Sequence, residues 1–233
     1  MNISYKRHRF PAEIISYCVW LYYTFPLSFR DIQKKMAYRG IEVTYEAIRK
    51  WCRKFAQAYA NQIRRCRSKP ADKWHLDEVV IKTKGKKYYL WRAVDKYGQV
   101  IDILMQSRRN EAAADKFFRK LLKPQEHPPR VLITDKPKSY GAAKKKILKG
   151  VDHRQHKGLN NRAENSHRPT RVRERRVGRF KSPGHAQRFL SALEPIRGHF
   201  HPFQHQLPAT EFREVMSQRF ESWREITRLN AAA

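Results

Sequence analysis

WHLDEVVIK (74–82), KYYLWRAV (87–94) and VIDILM (100–105) are three β-rich runs in succession, and their reading decides the fold. Gly85 sits in the short turn between the first two runs, and DKYG (95–98) makes the second turn. Runs rich in β-branched and aromatic residues, separated by tight turns, predict an antiparallel meander. Downstream, Asn110-Glu111 opens a helical segment whose Ala114, Phe117, Phe118, Leu121 and Leu122 are apolar, and Pro124, Pro128 and Pro129 end it. VLIT (131–134) reads as a short buried strand. Ser139 then caps a helix that stops near Gly150, and residues 151–154 form a weaker strand.

The order βββαβαβ predicts a mixed sheet with helices on its faces, as in ribonuclease H-like domains, so the fold class is α/β. Upstream, the pattern is helical. Pro11 and Glu13 suit a first helical turn. Ile14, Cys18 and Tyr22, joined by Ile15 and Val19, form an apolar stripe that Pro26 ends. Ser28 and Asp31 make the S-x-x-D signal of a capping box, and Phe29, Ile32 and Met36 face inward before Gly40. Thr44 caps a third helix that buries Ala47, Ile48, Trp51 and Phe55. Its other face carries Glu46, Arg49, Lys50, Arg53 and Lys54, with Tyr45 at its start. Three helices with a Gly-containing turn before the third match a helix-turn-helix, whose last helix reads base edges from its N-terminal half. A small helical bundle with a solvated basic face has the same pattern. NQIRRCRSKPADK (61–73) is polar and basic and reads as a linker, with continuation of the third helix to about Arg65 as the alternative.

The 233 residues carry 51 Lys and Arg against 21 Asp and Glu, a net charge of +30. Nucleic acid is the first partner this implies, because neutralising phosphates releases counterions. An anionic membrane is the lesser alternative, since the sequence shows no lysine-rich amphipathic helix at either end. No run approaches the ~18 apolar residues of a membrane helix, and MNISYKRHRF (1–10) lacks the apolar core of a secretory signal. Cys18, Cys52 and Cys66 form no CxxC pair, which disfavours a disulfide scaffold and fits a reducing cytoplasm.

Phosphodiester chemistry commonly uses two divalent ions about 3.5–4 Å apart, and hard oxygen ligands suit Mg²⁺. Asp77 lies in the first strand, Asp135 directly follows VLIT, and Glu164 lies in NNRAENSH at the start of a helix. Such a trio is physically sensible, although strand-end aspartates more often make turns or ion pairs. Strand alternation places Asp77 and Glu78 on opposite faces.

The chain resembles insertion-sequence transposases of the DDE type, specifically the insertion sequence six family. The resemblance rests on SFRDIQ (28–33), VTYEAIRKWCRKFA (43–56), WHLDEVVIK (74–82), YYLWRAVDKYGQVIDILMQSRRNEAAADKFF (88–118), ITDKPKSYGAA (133–143), HRQHKGLNNRAENSHRPTR (153–171) and RFKSPGHAQRFLS (179–191). It implies a helix-turn-helix domain over 1–60, a linker over 61–73, a ribonuclease H-like DDE catalytic domain over 74–182 and a C-terminal helical extension over 183–233. It also implies that Asp77, Asp135 and Glu164 hold two Mg²⁺ ions, with Mn²⁺ able to substitute. The family's basic residue seven positions after the glutamate falls on Arg171. Two turns on one helix would put Arg171 on the face of Glu164, where it can grip a DNA phosphate. The 28 residues between Asp135 and Glu164 are fewer than is usual for the family, which reads as a shortened loop.

The resemblance further implies binding to terminal inverted repeats, metal-dependent cleavage and strand transfer on double-stranded DNA, and cointegrates from replicative transposition. The alternative is a domesticated or inactive helix-turn-helix protein. A bacterial, nucleoid-associated cytoplasmic location follows, with no small-molecule substrate. Residues 168–181 hold seven Lys/Arg and one Glu, so Arg168, Arg173, Arg175 and Arg176 are candidate DNA-backbone contacts. His167 is a candidate near the site. His199, His201 and His205 are weak zinc ligands by spacing. Phe212, Val215, Met216, Phe220, Trp223 and Ile226 make a final helical stripe, suited either to packing on the catalytic domain or to a homodimer or higher homo-oligomer.

Overall fold

The computed structural model describes residues 3–228 except 126, 136–137, 156–157, 159, 177 and 202–206. For Lys138, Ser139, Ala142, Ala143, Lys144, Arg162, Glu164 and Arg228 it describes the backbone alone. The chain forms two compact units, residues 1–67 with 191–233, and residues 68–190.

In the first unit, α1 (Ala12–Thr24), α2 (Phe29–Ala37) and α3 (Tyr45–Cys66) follow the expected order. Ser28 and Asp31 complete a reciprocal capping box at α2, which satisfies donors the helix leaves open. Gly40, at φ +72°, turns the chain after α2, a conformation that glycine adopts without a Cβ clash. The Thr44 hydroxyl accepts from the Ala47 N–H at 3.2 Å and starts α3. Along α3, Ile48, Trp51, Cys52, Phe55, Ala56, Tyr59, Ala60 and Ile63 are buried, the 3.6-residue stripe of a core-facing helix.

The unit boundaries differ from the sequence expectation. Helix α3 runs through Cys66 because nothing in 61–66 breaks it, so the connection shrinks to residues 67–72. Helix α9 (Ala209–Arg228) belongs with the first unit. There Trp223 packs edge-on against Tyr59 and Phe200. Tyr5 donates to the Thr227 carbonyl at 2.7 Å, and its hydroxyl lies 2.6 Å from that of Tyr59. Fully burying one such aromatic side chain stabilises by roughly 1.5–3 kcal/mol, so the C-terminal helix completes the core of α1–α3. Cys18 and Cys52 are buried free thiols and Cys66 is exposed. Among the described residues, no helix is long and apolar enough to cross a membrane.

The second unit holds β1 (Lys73–Thr83), β2 (Lys86–Asp95), β3 (Val100–Gln106), α4 (Glu111–Leu122), β4 (Val131–Thr134), α5 (Lys138–Ile147), β5 (Asp152–Gln155), α6 (Asn161–Ser166) and α7 (Arg168–Arg176); α8 (Pro183–His199) begins in it. The five strands form one sheet in the order β3-β2-β1-β4-β5. β1, β2 and β3 are antiparallel neighbours, and β1–β4 and β4–β5 are parallel pairs. This is the mixed α/β sheet read from the sequence.

One sheet face carries Trp74, Leu76, Trp91 and Ala93, buried with Ala114, Phe117, Phe118 and Leu121 of α4 and with Tyr140 and Leu148. On the other face, α6 packs against β1 and β2. α6 and α7 are separate, with His167 between them, where the sequence reading runs one continuous helix. Pro169 has no N–H to offer the Asn165 carbonyl, so the helical ladder loses a rung there.

Candidate active site

The site begins with strand register. β1 and β4 run parallel, and their last paired residues are Leu76 and Thr134. One step further on each chain stand Asp77 and Asp135. Adjacent strands are about 4.8 Å apart, so the sheet itself sets these two residues side by side. This happens where β4 ends, the position at which open α/β sheets place their ligands.

Asn160 links the end of β1 to Asp135. Fully buried, it donates from Nδ2 to the Leu76 carbonyl at 2.9 Å and to Asp135 Oδ1 at 3.4 Å. His167, 6% exposed, places its Nε2 3.1 Å from Asp77 Oδ2. Asp77 Oδ1 accepts from the Glu78 N–H at 2.8 Å.

Arg92 stands directly across from Asp77 in the antiparallel β1–β2 register. It therefore projects from the same sheet face. It is 2% exposed, and its Nη1 donates to Thr170 Oγ1 of α7 at 3.1 Å. A buried arginine thus pins α7, the helix that bears Arg171, to the strand beside Asp77.

Glu78 points the other way. Its carboxylate accepts from Tyr140 Oη at 2.6 Å and pairs with Arg109. Burial pushes its carboxyl above the ordinary glutamate range, while the bonds from Tyr140 and Arg109 pull it back. Burial, followed by the neighbouring Glu78 carboxylate, raises the Tyr140 phenol. This knot anchors α5, the helix that follows Asp135.

The sequence-derived candidates fall in distinct places. Asp77 and Asp135 come together. Glu164 lies on α6, with its side chain outside the described residues. Arg171, on α7, has a side chain that is 41% exposed and donates to Glu174 at 2.9 Å. Among the described residues, no group of three His, Cys, Asp or Glu forms a metal-binding cluster. The donor set still suits a hard divalent cation: two adjacent carboxylates, and the buried Asn160 Oδ1, which lacks a hydrogen-bond partner among the described residues. Oxygen ligands of this kind are those that Mg²⁺ takes.

Of the basic run, Arg168, Arg175 and Arg176 are exposed. Arg173 is corrected: it is 3% exposed with its guanidinium 5.5 Å from the Phe189 ring centroid, a core contact in place of a DNA contact. On α3, Lys50, Arg53 and Lys54 are exposed. Arg49 donates from Nε to Glu46 at 2.8 Å, and the Arg30 guanidinium lies over the Tyr45 ring, 5.3 Å from its centroid. His199 is buried and its Nε2 bonds the Arg219 carbonyl at 2.9 Å, which occupies one of its two ring nitrogens. His201 is exposed and His205 lies outside the described residues.

Residues 71–202 match the family described as DDE domain, more than half of the chain. The transposase for the insertion sequence-like element IS431mec of Staphylococcus aureus (strain Mu50 / ATCC 700699) is 32% identical over 200 residues, covering 83% of this chain and 88% of that one. This chain belongs to the insertion sequence six family of DDE transposases. The transposase for element IS257 in transposon Tn4003, also from Staphylococcus aureus, matches at the same 32% identity and coverage. Among solved structures, the magnesium complex of the HTLV-2 integrase catalytic core domain, trimeric form, is similar at TM-score 0.40 and 17% identity, covering 55% of this chain and 86% of that one.

The transposase is accordingly a polynucleotidyl transferase that acts on DNA with a divalent metal. Asn160 and Arg92 do not stand out in the sequence. The one signal for Asn160 is the N-N doublet ahead of Glu164, and for Arg92 a charged residue inside an otherwise apolar strand.

Proposed function

We propose that this transposase recognises the terminal inverted repeats of its element through α1–α3 as a helix-turn-helix and cuts and joins DNA at Asp77, Asp135 and Glu164. The observation that carries the reading is the β1–β4 register, which sets Asp77 beside Asp135, with Asn160 bonded to the Leu76 carbonyl and to Asp135. Asp77, Asp135 and Glu164 would hold two Mg²⁺ ions, with Mn²⁺ as a substitute. When bound, such ions make the attacking oxygen a better nucleophile and stabilise the leaving one.

The chain's own residues do the rest. His167 orients the Asp77 carboxylate and Asn160 orients that of Asp135. Arg171 meets a DNA phosphate, as a guanidinium does well with a charged oxygen pair, after leaving Glu174. Exposed Arg168, Arg175 and Arg176 hold the backbone on either side. Water attacks the phosphodiester at the element's end, the P–O3′ bond breaks, and the element keeps a free 3′-hydroxyl. That hydroxyl then attacks a target phosphodiester, forms a new P–O3′ bond and releases the target's own 3′-oxygen. No covalent protein intermediate is needed, since positioning supplies much of the rate.

The reaction pairs two element ends, so the working form is a homodimer or larger homo-oligomer, in the bacterial cytoplasm and on the nucleoid. Replicative transposition through cointegrates is the outcome we assign. The test is cleavage of a duplex carrying the element's terminal repeat. Nicking at the repeat's 3′ end in Mg²⁺ or Mn²⁺, and none in EDTA, is the expected result. Tight repeat binding with no nicking in either metal would instead favour an inactive DNA-binding protein.

A further inference from the structure

The β1–β2 hairpin is longer than the sheet around it. β4 pairs with β1 only over Lys73–Leu76, and β3 pairs with β2 only over Tyr89–Val94. Residues 81–88 therefore form a two-stranded ribbon with no strand on either outer edge. Its tip holds Lys82, Lys84, Lys86 and Lys87, all exposed. Among the described residues, none of the four takes part in an ion pair.

Two features of the tip cost folding stability. Lys82 and Lys87 stand directly opposite in the register, where like charges repel. Lys84 takes a positive φ of 48° beside Gly85 at 77°, a turn position that favours Asn or Gly. Side chains that break local rules without a packing gain mark a place where function sets the residue. Lys86 projects from the face of Asp77, and Lys82 and Lys87 from the other, so the tip presents charge on both sides. On the face of Asp77, Ile81 and Thr83 of the ribbon are buried, so that face of the ribbon is covered.

We infer that this hairpin is a DNA-binding arm that grips the phosphate backbone of the duplex lying in the active site. The inference rests on the DNA reading above and adds a surface to it. Lys82 is five residues from Asp77 along one strand, about 17 Å at roughly 3.3 Å per residue. That equals about five base pairs at ~3.4 Å of helix axis per base pair. The arm therefore meets the duplex about half a helical turn from the reacting phosphate. Edge lysines also keep sheet edges from pairing with other chains, and the variants below separate that role from DNA binding.

The experiment uses the full chain and a 40-base-pair duplex, titrated at several salt concentrations. Lys82→Glu/Lys87→Glu keeps a charged, like-paired edge but repels phosphate. It should stay monodisperse, bind at least about tenfold more weakly at low salt, and have a salt slope shallower by about 1.8 for two lost contacts. Lys82→Gln/Lys87→Gln should show the same slope change, and carries the test if circular dichroism shows the glutamate pair misfolded. Lys82→Arg/Lys87→Arg should bind as the unaltered chain does. Phosphate-ethylation interference on a terminal-repeat duplex should show a contact about five base pairs from the cut, lost in the glutamate pair. Unchanged affinity and slope in the folded glutamate or glutamine pair would overturn the arm alone. Failure of the unaltered chain to bind any duplex would overturn the DNA reading itself.

Discussion

Replacing Asn160 by alanine removes the side chain that joins the Leu76 carbonyl of β1 to the Asp135 carboxylate. The side chain is fully buried and donates to the Leu76 carbonyl at 2.9 Å. Removing it leaves that carbonyl without its side-chain donor, at about 1–3 kcal/mol for a buried group. For a protein of this size each kcal/mol moves Tm by about 2–4 °C, so Asn160→Ala should melt roughly 2–12 °C lower. The bond to Asp135 Oδ1 at 3.4 Å is lost as well. A displacement of about 1 Å at a reacting centre can cost on the order of 100-fold in rate, so strand transfer should fall by about that factor while repeat binding holds. Asn160→Asp is the sharper comparison. It sets a carboxylate about where the amide stands, and two charges at that separation repel by about 5 kcal/mol at an effective dielectric of about 20. In EDTA it should melt below Asn160→Ala, and Mg²⁺ should raise its Tm more than that of the unaltered chain. Differential scanning calorimetry with and without Mg²⁺, beside a strand-transfer assay, reads both effects. An Asn160→Ala chain with unchanged Tm and transfer within threefold would refute the bridging role.

Arg49 is held by Glu46 in the absence of DNA, so Glu46→Ala should free it and change repeat affinity; Arg49→Ala should shrink the preference for repeat over scrambled duplex, by about 1–3 kcal/mol if it reads a base. Arg53→Ala or Lys54→Ala should weaken both duplexes alike and flatten the salt dependence; equal loss on both duplexes for Arg49→Ala would end its base-reading role. Arg171→Ala should lower strand transfer more than Mg²⁺ binding, and a folded variant that no longer binds metal by calorimetry would contradict a phosphate contact. Burial lowers the His199 imidazole below its ordinary 6.5, the bond to the Arg219 carbonyl opposing this. A lowered folded value means that the unfolded chain binds the proton more readily, so the stability His199 contributes is complete above about 6.5 and is lost as pH falls below it. Thermal melts at pH 7.5 and 5.5 should therefore differ less in His199→Gln than in the unaltered chain, in which His8 and His201 are lowered as well.

The sheet was legible because its strands are apolar runs bounded by clear turn residues. Asp77 and Asp135 were legible because one sits within such a run and the other just past one, and parallel pairing of those runs then does the rest. Polar burial was harder to read. Thr170, Arg173 and Glu174 are all buried on α7, spaced at i, i+3 and i+4, but a buried stripe made of polar residues gives no hydrophobic signal. The run 168–181 therefore reads as surface charge when one of its arginines is a core residue. His167 and Pro169 likewise break a helix that spacing alone would continue. Unit membership is a tertiary fact: the stripe of α9 fits any apolar partner, and only the contacts of Trp223 with Tyr59 and Phe200 choose it. The Lys-rich hairpin tip is visible in the sequence as charge, but its freedom from neighbouring strands depends on the short reach of β3 and β4.

In the proposed mechanism Asp77, Asp135 and Glu164 together perform the chemistry while DNA recognition lies elsewhere. The most direct measurement compares Asp77→Asn, Asp135→Asn and Glu164→Gln in Mg²⁺-dependent strand transfer, with repeat-duplex affinity measured on the same preparations. Each variant should lose cleavage and joining altogether and keep its affinity within a few-fold of the unaltered chain. Near-normal strand transfer in any one of the three would contradict the assignment of that residue.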